Sequence, residues 1–488
     1  MNFKMMGRFI AQIIAIEAAF MLPALGISAY YGEYTAMASF GCTIAIILAV
    51  ATVLFALCRK ARRIFGAREG LVCVALGWVS LSILGCLPFV ISGEIPHFVD
   101  ALFETISGFT TTGSSILRDV EALSKGLLYW RSFSHWLGGM GVLVFLLAIV
   151  PAGGDEKGFT MHLLRAESPG PDVGKLVPKM RQTALILYLI YVALTVINVI
   201  FLLCGGMGLF ESLCTAFGTA GTGGFGVRND SLASYSPYIQ WVTTVFMFLF
   251  GINFSCYYLL LLRHVRSVLR DRELRLYIGL AAVCVLLITL NVWHSLQGAY
   301  ETVGETIRHA AFQVSSIMTT TGYATTDFNL WPALSKGLLM MLMVVGACAG
   351  STGGGMKCAR VLLLFKSLRR NIRQVLNPRT VQVIRNNGRV VDEKIVANTN
   401  AYLAAYMVII FAAYLIISLD GFSTETNLTA VLACFNNIGP GLGNVGPTGN
   451  FADFGILSKL TLSLCMLAGR LEIFPILALF SRSTWKRR

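Results

Sequence analysis

Ten long apolar stretches divide the chain, and each is long enough to cross a membrane as a helix. A transmembrane helix needs about 20 mostly apolar residues, because each residue advances only about 1.5 Å along the helix axis. The first stretch lacks a small-residue cleavage pattern and a second one follows at once, so we expect it to be retained. The predicted spans are 8–30, 37–58, 70–92, 132–151, 182–205, 237–262, 275–293, 336–363, 399–418 and 455–481.

Four shorter, more weakly apolar stretches lie between these spans: 99–113, 207–224, 302–322 and 427–439. They are too short to cross a bilayer but apolar enough to enter it, and each ends in Gly with Thr or Asn. Each lies between two spans and on the same side, so a span–dip–span unit is used four times in one orientation. This pattern predicts pseudo-fourfold symmetry about an axis along the membrane normal, whereas inverted repeats would place the dips on opposite sides.

The composition excludes several classes of protein. Of the 488 residues, 56% are hydrophobic and only 13% are charged, against about 25% charged in soluble domains. A soluble enzyme, a disordered regulator and a small disulfide scaffold are therefore excluded. The 12 cysteines lie singly in apolar runs with no CxxC pair, so a zinc or thiol-redox motif has no support. The fold class is an all-α polytopic membrane protein.

The few charges are distributed unequally between the two sides of the predicted membrane. The net charge is +14, and with ten spans all basic clusters fall on one side, which must be cytoplasmic. Both termini are then cytoplasmic, and the opposite side carries most of the acids, which could concentrate cations above the dips, although a solvated surface explains most of them singly. The basic clusters are Arg59/Lys60/Arg62/Arg63, Lys175/Lys179/Arg181, Arg263/Arg266/Arg270/Arg272/Arg275, Lys366/Arg369/Arg370/Arg373 and Lys486/Arg487/Arg488.

The ends of the dips suggest how a cation could be bound. Non-helical backbone at membrane depth persists only where it lines an aqueous cavity or is buried in protein. Gly permits dihedral angles that turn successive carbonyls the same way, and rings of such carbonyls replace the hydration shell of a potassium ion. The alternative is a set of helix-ending glycine turns in external loops. Four occurrences at equivalent places favour the first interpretation.

Five motifs carry a family resemblance that extends over essentially the whole chain: FTTTGSS (109–115), GTGGF (221–225), TTTGYAT (319–325), NNIGPGLG (436–443) and GRLEIF (469–474). With them the chain resembles the Trk/Ktr/HKT superfamily of potassium transporters, and within it the bacterial TrkH/TrkG type, which has two extra N-terminal spans. The resemblance implies potassium uptake across the bacterial inner membrane through a four-loop selectivity filter. The filter positions, which would bind K⁺, carry over to Thr111, Thr112, Gly113, Thr222, Gly223, Gly224, Thr320, Thr321, Gly322, Asn437, Ile438 and Gly439, with Gly441 as the alternative register in the fourth repeat.

A glycine-rich run and one arginine are candidates for a gate. The run contains Gly346, Gly350, Gly353, Gly354, Gly355 and Lys357 within one apolar span, and each Gly costs a helix about 1 kcal/mol relative to Ala. Close helix packing is one explanation; a broken helix below the filter, as the resemblance implies, is the other. Arg470 lies in the last predicted span, where a charge costs at least about 2.5 kcal/mol. It either pairs with an acid or, as in the family, lies beside the ion path as an electrostatic barrier. Lys357 could add to that barrier or extend to the cytoplasmic interface.

The cytoplasmic loops 152–181 and 366–398 lack a nucleotide-binding fingerprint. The resemblance implies a separate nucleotide-binding regulatory subunit of TrkA type and a homodimer. The basic loops could dock that subunit or, equally, set the topology and contact anionic lipids. No nucleic-acid partner and no organic cofactor are expected.

Two other functions remain for comparison: a proton- or sodium-coupled cation symporter and, with less support, a membrane-embedded transferase. The six scattered histidines and the lack of an HExxH-like pair disfavour an enzyme. The predicted units are two N-terminal spans (1–65) and four pore repeats (66–152, 153–264, 265–366 and 367–488).

Overall fold

The computed structural model describes residues 2–59, 67–141, 180–296, 298, 300–379 and 382–485, and these residues are mostly helical. Four predicted features lie outside the described residues: the basic cluster at 60–63, the end of span 132–151, most of loop 152–181 and the basic tail 486–488. The helices are α1 (Phe3–Tyr30), α2 (Tyr34–Leu57), α3 (Ala67–Gly85), α4 (Leu87–Ser92), α5 (Phe98–Phe109), α6 (Lys125–Gly139), α7 (Met180–Cys204), α8 (Leu209–Gly221), α9 (Pro237–Phe250), α10 (Phe254–Leu261), α11 (Val265–Leu269), α12 (Arg272–Ser295), α13 (Val303–Met318), α14 (Ala333–Val345), α15 (Cys358–Leu376), α16 (Glu393–Ile417), α17 (Thr424–Phe435), α18 (Ile456–Arg470), α19 (Phe474–Phe480) and α20 (Arg482–Trp485).

Six helical segments of the described part are long and apolar enough to cross a membrane. Large apolar side chains stay exposed along them, for example Leu189, Leu286 and Phe411, as expected where a helix faces lipid. The prediction of a helical polytopic membrane protein is therefore confirmed. The six segments are Phe3–Tyr30, Tyr34–Leu57, Arg68–Ser92, Ala184–Cys204, Arg272–Ser295 and Glu393–Asp420.

Other predicted spans are broken or shorter than expected. The predicted span 237–262 is two helices, α9 and α10, bent by 88°. The bend follows from Asn253, whose side chain accepts the N–H of Ser255 at 2.9 Å and so caps a new helix. The predicted span 336–363 is divided between α14 and α15 by a non-helical loop, and the predicted span 455–481 is divided between α18 and α19. Span 132–151 begins earlier than predicted, at Lys125 in α6.

The four short helices α5, α8, α13 and α17 form the interior of the molecule. They contain 12, 13, 16 and 12 residues and lie almost wholly within the four short apolar stretches of the sequence. Their C-terminal halves are buried, including polar residues such as Ser107, Thr219 and Ser316. Long helices therefore enclose short ones whose C-termini end inside the protein.

The only strands of the described residues form one small hairpin between α15 and α16. Strand β1 (Arg385–Asn386) pairs antiparallel with β2 (Arg389–Val390), with Arg385 opposite Val390. A small apolar cluster of Leu363, Ile384 and Val396 packs the base of the hairpin against both neighbouring helices.

Candidate functional site

The same backbone conformation follows each of the four short helices. Each short helix is followed by a segment of three residues. The first and third residues of each segment have positive φ, and the residue between them does not. This alternation turns successive carbonyl groups towards one side. The middle residue's N–H donates to a carbonyl five residues earlier, at 2.8–2.9 Å in all four segments. The φ values are 55° and 80° at Thr111 and Gly113, 56° and 72° at Thr222 and Gly224, 60° and 88° at Thr320 and Gly322, and 56° and 101° at Asn437 and Gly439.

The four segments contact each other in a closed cycle through their third residues, which are all glycines. A Cβ atom on Gly113, Gly224 or Gly322 would lie far inside the 3.0 Å below which Cβ contacts do not occur, and one on Gly439 would lie at 2.9 Å. Only glycine therefore fits without displacing backbone carbonyls. The carbonyl oxygens that these Cβ atoms would meet belong, in the same order, to Gly223, Thr321, Ile438 and Thr112.

Hydroxyl and amide side chains form hydrogen bonds within and between the segments. The Oγ1 atoms of Thr110 and Thr112 are 2.8 Å apart, and those of Thr319 and Thr321 are also 2.8 Å apart. In the fourth segment Asn437, at the position of Thr111, Thr222 and Thr320, donates from Nδ2 to Thr112 Oγ1 of the first segment at 2.9 Å. The amide of Asn437 therefore joins the fourth segment to the first.

The alternative fourth-segment position, Gly441, lies beyond the cycle. Its N–H donates to the carbonyl of Val445 at 2.7 Å in a separate turn, and its φ is not positive. The dihedral pattern that the other three segments share occurs in the fourth at Asn437–Gly439.

A buried ion pair contacts the residues that follow the first two segments, and the sequence did not single it out. Arg131 donates from Nε to Glu104 Oε1 at 2.6 Å, with both side chains almost fully buried. Glu104 Oε2 accepts the N–H of Ile116 at 2.9 Å. Arg131 also donates to the Gly226 carbonyl at 3.0 Å and lies 3.5 Å from the centre of the Phe225 ring. The only sequence signal was an arginine at the start of an apolar run.

Many acids on the predicted outer side have structural partners. Ion pairs join Asp453 to Arg118 (2.5 Å), Glu211 to Arg228 (3.1 Å), Glu425 to Lys336 (3.3 Å) and Asp100 to Lys459 (2.6 Å). In an exposed loop, the hydrogen bond from Asn229 lowers the pKa of Asp119. These carboxylates hold loops together through ion pairs and hydrogen bonds. The number of acidic residues therefore overstates the electrostatic field that could attract cations.

The glycine-rich run forms a loop, residues 346–357, that contacts the third and fourth segments. The Gly354 N–H donates to Thr320 Oγ1 at 2.6 Å, and the Gly355 N–H donates to the Asn436 carbonyl at 3.0 Å. A Cβ on Gly353 would lie 2.8 Å from the Thr319 carbonyl oxygen. Gly353 and Gly354 are therefore required for close approach to the segments, whereas Gly346 and Gly355 allow the two ends of the loop to pack against each other.

Arg470 and Lys357 both donate to backbone carbonyls of this loop. Arg470, the last residue of α18, donates to Thr352 at 2.9 Å and to Gly139 of α6 at 2.7 Å. Lys357 is buried and its Nζ donates to the Gly353 carbonyl, so it does not extend to an aqueous interface. Arg470 therefore joins the loop to α6 and α18, whereas Lys357 closes the loop on itself.

Glu273, on the first turn of α12, holds the loop at its other end and was missed from the sequence. Its Oε1 accepts the N–H of Ala349 at 2.5 Å and the N–H of Ala359 at 3.1 Å. In the sequence Glu273 is one acid within a basic cluster, which gave no reason to place it at the loop.

Comparison with known proteins supplies a family for this arrangement. Residues 37–487 match the model of the TrkH family, described as cation transport proteins. The chain is 35% identical to the Trk system potassium uptake protein TrkH of Salmonella typhimurium, over all of both chains. It is 31% identical to TrkG of Escherichia coli K12, covering 96% of this chain and 95% of that one. The crystal structure of the potassium transporter TrkH from Vibrio parahaemolyticus superposes over 100% of both chains, with a TM-score of 0.88 at 30% identity.

Proposed function

The chain belongs to the TrkH family of cation transport proteins, and we propose that it is the ion-conducting membrane subunit of a Trk-type potassium uptake system. The family consists of transporters, so the chain is not an enzyme. Relatives that match it over their whole length are named potassium uptake proteins, which supports potassium as the transported ion.

The closed cycle of four glycine-containing segments is the observation that carries the proposal. Thr111–Gly113, Thr222–Gly224, Thr320–Gly322 and Asn437–Gly439 form the selectivity filter, and their carbonyl oxygens replace the water around K⁺. The short helices point their C-terminal ends, with partly negative carbonyls, towards this site. Four units around a pseudo-fourfold axis supply one segment each, and the second segment uses Gly224, preceded by Gly223.

The loop 346–357 is the gate of this pore, and Arg470 is the charge beside the ion path. The contacts of Gly354 with Thr320 and of Gly355 with Asn436 support this assignment, because they hold the loop against the inner ends of two filter segments. Arg470 fixes the loop through Thr352. It also places a positive charge where a cation that has left the filter must pass.

The subunit acts with further chains. A nucleotide-binding subunit of TrkA type docks on the basic cytoplasmic face, the membrane subunit forms a homodimer, and both termini are cytoplasmic. The proposed organisation is an N-terminal pair of spans (1–65) followed by four pore repeats (66–152, 153–264, 265–366 and 367–488). The permeation is channel-like, driven by the potassium gradient and the membrane potential.

Flux into liposomes containing the purified protein tests the proposal. Uptake of potassium and of sodium is measured under equal gradients, each with and without a proton gradient. We expect potassium uptake to exceed sodium uptake, with no requirement for protons. Equal uptake of both ions, unchanged by Gly113→Ser, would contradict the filter assignment, and strict dependence on a proton or sodium gradient would favour a symporter.

A further inference from the structure

Six basic side chains from three separate elements line one recess at the end of the molecule where α12 begins. The recess has a volume of about 330 Å³. Its remaining lining comes from the segment that leads into β1. The six cations are Arg272 of α12, Lys366, Arg369, Arg370 and Arg373 of α15, and Arg385 of β1.

Hydrogen bonds hold these elements together and so build the recess. Lys366 Nζ donates to the Arg385 carbonyl at 3.1 Å and to Asn386 Oδ1 at 2.8 Å. At the tip of the hairpin, Asn387 donates to Asp271 Oδ2 at 2.7 Å and accepts the Arg272 N–H at 3.1 Å. The hairpin is therefore fastened to α12 and α15 with its arginine beside theirs.

The positive charge of the recess is little compensated within the described residues. Arg370 pairs with Glu393, but its Nε is buried without a hydrogen-bond partner. Arg369 and Arg373 are exposed and have no carboxylate partner in the part of the chain that the structure describes. Burial and the charge of Arg272 lower the pKa of Lys366. Like charges brought together from three elements repel one another, unless an anion lies between them.

We propose that this recess binds a phosphate-bearing anion, supplied either by a lipid headgroup or by a soluble phosphate compound. Arginine forks bind phosphate oxygens in pairs, and the recess offers several forks and one ammonium group around a single space. Its volume is that of a small-ligand site. An exposed apolar stripe on α15, formed by Phe365, Leu368 and Ile372, would bring the recess close to headgroups at a membrane surface.

The site is connected to the proposed gate, and this part of the inference rests on the proposed function. Helix α15 begins at Cys358, directly after the loop, and Arg272 precedes Glu273, which holds the loop through Ala349 and Ala359. An anion that fastens α12 to α15 restrains both attachments of the loop. Its binding therefore lowers potassium flux.

Direct binding separates this proposal from the function of the pore. The full-length protein is placed in phosphatidylcholine nanodiscs and titrated with inorganic pyrophosphate, and in parallel nanodiscs that contain cardiolipin the retained lipid is measured by native mass spectrometry. The test variant is Arg369→Gln/Arg373→Gln. The matched control is Arg266→Gln/Arg270→Gln, which removes the same charge from exposed positions outside the recess.

We expect the recess variant to bind the anion at least about tenfold more weakly for each arginine removed, and the control to bind as wild type. Pyrophosphate binding identifies a soluble source, and retention of cardiolipin alone identifies a headgroup. Binding of neither, or equal losses in both variants, would overturn the site. If binding is confirmed but does not lower flux in liposomes, the connection to the gate is wrong and the site stands.

Discussion

Substituting Gly113, Gly224, Gly322 and Gly439 by alanine, one at a time, should reduce ion selectivity. The structure predicts which of these substitutions reduces it most. At Gly113, Gly224 and Gly322 the new Cβ would overlap a carbonyl oxygen of the next segment, far inside the 3.0 Å limit. At Gly439 the corresponding distance is 2.9 Å, so the neighbouring carbonyl need move only slightly. The first three substitutions should therefore be severe and the fourth mild.

The size of the loss in ion selectivity follows from backbone strain. All four glycines have φ between 72° and 101°, and a non-glycine residue held in that region costs about 1–3 kcal/mol. The overlapped carbonyl must also rotate away from the position in which it would contact the ion. If this cost of about 1–3 kcal/mol is lost from potassium binding relative to sodium, the preference falls by about 5–150-fold. The carbonyl overlap places Gly113, Gly224 and Gly322 towards the upper end of that range and Gly439 towards the lower end.

Paired potassium and sodium fluxes in liposomes measure this ranking. Gly279→Ala is the control, because its Cβ would meet no atom within 4 Å. Each variant is first checked for folding by its elution profile in detergent. Equal selectivity of wild type and folded Gly224→Ala, or a larger loss in Gly439→Ala than in Gly224→Ala, would refute the reasoning.

Four further predictions concern the gate and the buried charges. Arg470→Ala should raise potassium flux in liposomes several-fold, because it frees the loop and removes the barrier charge; a folded but slower variant would contradict this. Shortening Gly350–Gly355 should raise flux in the absence of any regulatory subunit, and unchanged flux would argue against a gate. Glu104→Gln should lower stability in thermal unfolding by about 3–5 kcal/mol, since it leaves a buried arginine unpaired, whereas the exposed pair lost in Glu425→Gln should cost at most about 1 kcal/mol. Glu17→Met should raise stability by about 1–3 kcal/mol, because both carboxyl oxygens of Glu17 are buried without a hydrogen-bond partner among the described residues.

The sequence predicted the helical elements better than their breaks. Hydropathy identified the long helices and the short interior ones, because burial in lipid or protein requires runs of apolar residues. It could not detect the bend at Asn253, since an average over 20 residues hides one capping side chain. The break after Val345 was expected, because five glycines are a local signal that survives averaging.

The contacts around the site could be predicted only in part. Short motifs marked the glycines, since positive φ is a local demand that glycine alone meets without strain. The supporting contacts join residues far apart in sequence, such as Glu104 with Arg131 and Glu273 with Ala349, separated by 27 and 76 residues. No spacing rule connects such pairs, so Glu273 looked like an ordinary surface acid. For the same reason the sequence did not indicate that Glu17, within the first apolar helix, is buried.

The contacts of the loop restrict how the proposed gate can open. It is hydrogen-bonded to Thr320 and Asn436 at the filter segments, and to Glu273 and Arg470 on the surrounding helices. Arg470 also reaches α6 through Gly139, so this one side chain joins the loop to the opposite side of the site. Movement of α15 alone would pull on Ala359 and leave Arg470 in place. Full opening of the proposed gate therefore requires the bond between Arg470 and Thr352 to break, in addition to any movement of α15.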